Sequence, residues 1–133
     1  MPHFFETTAR VRYAETDAMG IAHHASYIVW LELGRTELLR AQGMSYRELE
    51  NHGFLIVLSD LQIRYHAAAR YDDELTIRTT LAEQRSRQLT FAYTITLAEG
   101  TLLVSAETTH IVLNQATRKP VRLPHLLLEL LAR

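Results

Sequence analysis

Over residues 5–13 the side chains alternate. Phe5, Thr7, Ala9, Val11 and Tyr13 fall on one side of a pleat, and Glu6, Thr8, Arg10 and Arg12 on the other. A period of two predicts a strand with one buried face. The pattern breaks over residues 14–26, which read as a loop, yet one that gathers Thr16, Asp17, Gly20, His23, His24 and Ser26. A plain linker holds fewer side chains able to do chemistry. Apolar positions then return at helical spacing over residues 27–40, about four turns without proline. Ile28, Leu31, Leu38 and Leu39, flanked by Tyr27, Val29 and Trp30, give that helix a broad apolar surface and predict burial. Ser26 is the predicted cap, since its hydroxyl can take a free N–H of the first turn. Glu32 and Arg35, three residues apart, can meet on one face. Gly34 costs the helix about 1 kcal/mol in propensity and is best tolerated where another element packs closely.

Gly43 ends the helix, and Ser45 with Glu48 has the spacing of a capping box for a short helix through His52, stopped by Gly53. The chain beyond Gly53 is strand-like over residues 54–70, 74–83, 87–98 and 101–113. Asp72 with Asp73, and Glu99 with Gly100, mark reversals. Residues 114–119 form a polar turn, and Leu126, Leu127, Leu130 and Leu131 outline a last amphipathic helix after Pro124. One strand, two helices, four strands and a helix fit an α+β domain with an antiparallel five-stranded sheet better than alternating βα units. One long helix covers such a sheet only partly, and its edges need protection. Both needs predict a homodimer, or a tetramer built from dimers.

The 133 residues suit a single domain spanning 1–133. Fourteen basic residues face fifteen acidic ones, which argues against a general nucleic-acid-binding surface but leaves room for a local phosphate site. Without cysteine there is no disulfide, thiolate nucleophile or thiolate metal site. Residues 1–10 lack a basic leader with an apolar core, and no apolar run suffices for membrane insertion, so the expected location is cytoplasmic.

Residues 13–27 read YAETDAMGIAHHASY. Thr16, Asp17 and Gly20 make a Thr-Asp-x-x-Gly loop, His24 and Tyr27 make His-x-x-Tyr, and Glu32 and Arg35 come next on the helix. This combined spacing resembles the signature of the hotdog-fold acyl-CoA thioesterases, both the hydroxybenzoyl-CoA type and the short-chain, Tol-Pal-associated type. Tyr71, Asp72, Asp73 and Leu75 resemble the family too, as do the threonines and His110 of the last strand. The resemblance covers nearly the whole chain. It implies a hotdog fold, an antiparallel five-stranded sheet wrapped around one long central helix.

It also implies hydrolysis of a short-chain or small aromatic acyl-CoA, with Asp17 as nucleophile or general base. A helix N-terminus offers unpaired N–H groups and a positive dipole end to a developing oxyanion. By resemblance the His24 N–H is the principal donor, and Thr16 and Gly20 shape the loop. The His24 side chain orients substrate, Asp17 or water, with a purely structural role as the competing reading. Tyr27 packs the start of the helix. His23 lines the substrate channel, and Leu58, with Leu55 and Val57, is a candidate pocket wall. Glu32 and Arg35 pair to fix the helix or a dimer contact. Arg118 and Lys119, in the densest basic segment, are the first choice for the CoA phosphates. CoA enters as part of the substrate and leaves as product, so no cofactor is expected. No metal is expected either, since His23, His24 and Asp17 lack clear further ligands.

The chain departs from the family pattern at Ser26, where asparagine is common, and in residues 65–69, which lack a usual proline and place His66 in an unusual context. Asp17 as a mere turn residue is the plain alternative to catalysis. At the level of function the alternatives are a non-catalytic acyl-CoA or protein-binding domain and an acyl-thioester hydratase or dehydratase.

Overall fold

The computed structural model describes residues 4–133, so the first residues of the stretch read for a leader lie outside it. Strand β1 (Phe4–Arg10) leads through a 3-10 turn (Tyr13–Glu15) to α1 (His24–Gln42), the short α2 (Tyr46–Asn51), then β2 (Phe54–Tyr65), β3 (Glu74–Gln84), β4 (Gln88–Leu97), β5 (Leu102–Asn114), β6 (Pro120–Val121) and α3 (His125–Leu131). The main sheet is antiparallel in the order β1-β3-β4-β5-β2. It curves around α1, giving the α+β hotdog architecture. β6 adds to the expected strands: its two residues pair with Val112 and Leu113, just past the Gln88–Ile111 pair where β4 begins.

Helix α1 lies over β1 and β3, and Gly34 makes the close approach possible. A Cβ there would collide with Thr79 Oγ1 and stand 2.8 Å from Ile77 Cγ2. Leu31, Leu38 and Leu39 join Leu75, Ile77 and Phe91 in the core. β2 differs. None of its residues is fully buried, and Leu58 and Tyr65 are 47% and 45% exposed on this edge strand. The helix therefore leaves β2 largely uncovered.

Two boundaries depart from the sequence reading. α1 begins at His24, because the preceding His23 is the N-cap and its Nδ1 accepts the Ala25 N–H at 3.1 Å. Ser26 is not the cap: its hydroxyl donates to the Glu15 carbonyl at 2.9 Å. β2 stops at Tyr65 rather than running to residue 70. The N–H groups of His66 and Ala67 both converge on Leu103 O, which ends the ladder, and Arg70 keeps only an isolated bridge to Ile21. The capping box of α2 forms as read, with Ser45 and Glu48 bonding reciprocally.

Candidate active site

The loop between β1 and α1 is held mainly by backbone atoms. Glu15, buried in a polar stretch, accepts the Arg12 N–H on its carboxylate at 2.7 Å, and its carbonyl takes both the His23 N–H (2.8 Å) and the Ser26 hydroxyl. One carbonyl thus ties the loop to the first turn of α1. Thr16 donates its hydroxyl to Tyr13 O at 2.7 Å and pairs by its backbone with Ala22. Inside that bridge Asp17 makes a tight turn: its N–H donates to Ile21 O, its carbonyl accepts the Gly20 N–H, and Oδ1 accepts the Met19 N–H at 2.8 Å. Gly20 has φ +79°, a region that favours glycine. Asp17 is therefore a turn residue as well as a candidate for chemistry. Among the described residues its Oδ2 has no partner.

The far side of the site comes from the end of β2 and the segment after it. The Tyr65 hydroxyl donates to His24 O at 3.0 Å, and the buried Tyr27 oxygen accepts the Ala69 N–H at 3.0 Å. Tyr27 also meets Trp30 and Tyr65 edge to face, with centroids 5.1 and 5.2 Å away. Burial, then the neighbouring Tyr27, raises the Tyr65 phenol, which keeps it protonated as a donor. A cavity of about 390 Å³ opens between these parts. Asp17, His24, Tyr27, Tyr65 and His66 line it, with Ala67 and Ala68 as small apolar wall. His24 is the first residue of α1, and no described residue accepts its N–H. An unbonded N–H and an unbonded carboxylate oxygen thus belong to residues of one cavity, at the positive end of a helix of 19 residues.

Several expected partners stand elsewhere. His23 is occupied by capping and stacks on the His24 ring (centroids 4.1 Å apart), outside the cavity lining. Leu58 is exposed on β2, opposite His110. Arg118 and Lys119 sit on the turn after β5, which bonds back to Gly53 at the start of β2, whereas Asp17's cavity lies at the end of β2. Within one chain they do not join the site.

Glu32 and Arg35 form no pair. Glu32 is exposed, and Arg35 turns inward to the Tyr93 hydroxyl at 3.3 Å. From there a buried chain continues through Thr108 to His110, whose Nε2 lies 2.9 Å from Thr108 Oγ1. Burial, then Arg35, lowers the His110 pKa to about 4, against an opposing hydrogen bond to the Val57 backbone. Among the described residues no three His, Asp or Glu side chains cluster as metal ligands.

Sequence reasoning misses Glu15 and Tyr65. An acidic residue inside a loop gives no sign of burial, and Tyr65 falls inside the strand read over residues 54–70. The run of alanines after Tyr65 is the one available signal, since small residues beside an aromatic leave space.

Comparison with known proteins places the fold in a family. A family model described as the thioesterase-like superfamily matches residues 11–131. The acyl-CoA thioester hydrolase YbgC of Escherichia coli O6:H1 is 38% identical over 120 residues, covering 90% of each chain. The putative acyl-CoA thioesterase YneP of Bacillus subtilis is 33% identical over 120 residues, 90% of this chain and 87% of its own. A hypothetical protein from Thermus thermophilus superposes with a TM-score of 0.90 at 35% identity, covering 96% of both chains. With the match running from the last residues before the Asp17 loop to the end of α3, the chain belongs to the thioesterase-like superfamily, the hotdog-fold family of acyl-CoA thioesterases.

Proposed function

We propose that the chain hydrolyses acyl-CoA thioesters to the free acid and CoA, with Asp17 as the catalytic carboxylate and the His24 N–H as oxyanion donor. The observation that carries this is their meeting in one cavity: Asp17 offers Oδ2, and α1 offers the first N–H of its turn to whatever charge develops there. Attack takes one of two balanced routes. Oδ2 adds to the thioester carbon and expels CoA thiolate, leaving a mixed anhydride that water hydrolyses. Alternatively Oδ2 takes a proton from water as the oxygen adds, and the tetrahedral intermediate expels the thiolate. In both, negative charge collects on the former carbonyl oxygen, where the helix end stabilises it. Tyr65 holds the His24 peptide from its carbonyl side, and Glu15 with Ser26 fixes the helix end to the Asp17 loop.

A cavity of about 390 Å³ lies at the small end of ligand pockets, roughly 300–1,000 Å³, which favours a short-chain or small aromatic acyl group. The unpaired edge of β2 supports a homodimer, alone or doubled into a tetramer. Two β2 strands joined antiparallel about a two-fold axis would set the Phe54 end of one beside the Tyr65 end of the other. That arrangement would carry the partner's Arg118 and Lys119 toward this chain's cavity, where CoA phosphates need cations. No helix among the described residues is long and apolar enough to cross a membrane, and a CoA-linked substrate favours the cytoplasm as the place of action.

The test is release of free CoA thiol from a panel of short aliphatic, branched and aromatic acyl-CoAs, with Asp17→Asn run beside the wild type. Turnover lost in the variant while substrate still binds is the expected result. Turnover indifferent to Asp17 overturns the mechanism, and binding without turnover in the wild type favours a non-catalytic acyl-CoA-binding domain.

A further inference from the structure

We infer that His66 is a specificity-determining residue that receives a hydroxyl group on the acyl chain, an inference that rests on the proposed thioesterase site. Of the other polar groups of the cavity, Asp17 Oδ2 and the His24 N–H are assigned to the reaction, the His24 ring stacks on His23, and the rest are committed within the protein. Asp17 Oδ1 takes the Met19 N–H, the Tyr65 hydroxyl donates to His24 O, and the Tyr27 oxygen takes the Ala69 N–H. His66 is committed on one side only. Its Nε2 stands 2.9 Å from Ser105 Oγ on β5, and among the described residues Nδ1 has no partner. The ring is thus anchored by a neighbouring strand at the cavity wall, and Ala67 and Ala68 beside it are too small to cover it. Neither the catalytic carboxylate nor the oxyanion donor requires such a residue.

The tautomer decides what Nδ1 can bind. If Ser105 donates to Nε2, Nδ1 carries the hydrogen and donates; if Nε2 donates to Ser105, Nδ1 accepts. A hydroxyl group is donor and acceptor together and satisfies either state. A carbonyl suits only the first, and an ammonium only the second. The hydroxylated acyl group is therefore the substituent that this pair accommodates whichever way the Ser105 hydroxyl turns.

Calorimetric titration of the Asp17→Asn protein with 3-hydroxybutyryl-CoA and butyryl-CoA reads the discrimination without turnover. One added neutral hydrogen bond corresponds to about fivefold in favour of the hydroxyacyl compound. Adding His66→Phe brings that ratio toward one and leaves butyryl-CoA affinity within about twofold. His66→Asn, which keeps a hydrogen-bonding group where Nδ1 stands, retains most of the ratio. His66→Gln, which reproduces only the Nε2 contact, does not. A ratio near one before His66 is changed, a ratio unmoved by His66→Phe, or binding of neither compound overturns the inference. If the ratio holds but the wild type releases no CoA, hydrolysis fails while the specificity assignment stands. CoA release without discrimination has the reverse meaning.

Discussion

Two polar clusters lie around α1, one at the surface by its start and one beneath its middle, and they are built in opposite ways. At the start of α1, Asp17, Gly20, His23 and His24 are positioned mostly through backbone atoms, and the groups left over face an open cavity. Beneath the middle of α1, Arg35, Tyr93, Thr108 and His110 bond side chain to side chain and face one another. The first arrangement fixes geometry while leaving reactive atoms free. The second uses almost every polar atom internally, although Arg35 Nε is buried without a partner. A site organised by backbone tolerates side-chain exchange without losing its shape, whereas a buried side-chain network couples any exchange to stability. The first cluster should therefore govern rate and the second folding.

The largest effect that separates them is at Asp17. Asp17→Asn keeps an oxygen to accept the Met19 N–H but removes the proposed nucleophile or base, so kcat should fall about a thousandfold, near 4 kcal/mol in the barrier. Thermal unfolding should move by no more than a degree or two. A large loss of stability would mean that the turn, rather than the chemistry, depends on the carboxylate.

The second cluster should answer to pH. His110 is held neutral in the fold, at about 4 against 6.5 in the unfolded chain, chiefly by burial and then by Arg35. Between those values the unfolded chain binds a proton that the folded chain refuses. Stability is then full above about pH 6.5 and declines as pH falls toward 4, by about 3 kcal/mol across the window. Denaturant midpoints measured from pH 7 to 4.5 should fall less steeply in His110→Gln than in the wild type. Equal slopes would remove His110 from the pH dependence.

These clusters are not equally legible in the sequence. The first lies in thirteen consecutive residues whose turn and cap chemistry is local, so its element order and the Asp17 turn can be read along the chain. Even there the cap stands three positions before the expected one: serine is the stronger capping type, but the Ser26 hydroxyl is drawn away by Glu15 O, a contact across eleven residues. The second cluster joins α1 to β4 and β5, and helical spacing points to a local Glu32–Arg35 pair instead. Tertiary burial of Arg35 against Tyr93 prevails. The strands of the sheet are legible because each alternates over many residues, while β6, two residues long, carries no period to detect.

Gly34 and Tyr65 sharpen the contrast with smaller effects. Gly34 belongs to the packing side: an added methyl meets Thr79 Oγ1 and Ile77 Cγ2 where helix and sheet touch. Gly34→Ala should destabilise by about 2 kcal/mol despite alanine's better helix propensity, read by denaturant unfolding. A stabilised variant would show that α1 can shift off β3 at little cost.

Tyr65 belongs to the proposed catalytic side and should have the smallest effect. Its hydroxyl reaches His24 O at 3.0 Å, so Tyr65→Phe removes one side-chain bond from a helix start otherwise held by the His23 cap and Glu15. Loss of about 1 kcal/mol corresponds to roughly fivefold in rate. Because the bond orients the peptide just after the proposed oxyanion donor, the loss should appear in kcat with KM nearly unchanged. A change confined to KM would instead make Tyr65 a wall of the acyl pocket. Unfolding should be little affected either way, since the ring is nearly half exposed and keeps its edge-to-face contact with Tyr27. A rate effect without a stability effect at this position is the reverse of what Gly34→Ala should show, although both residues touch the same helix.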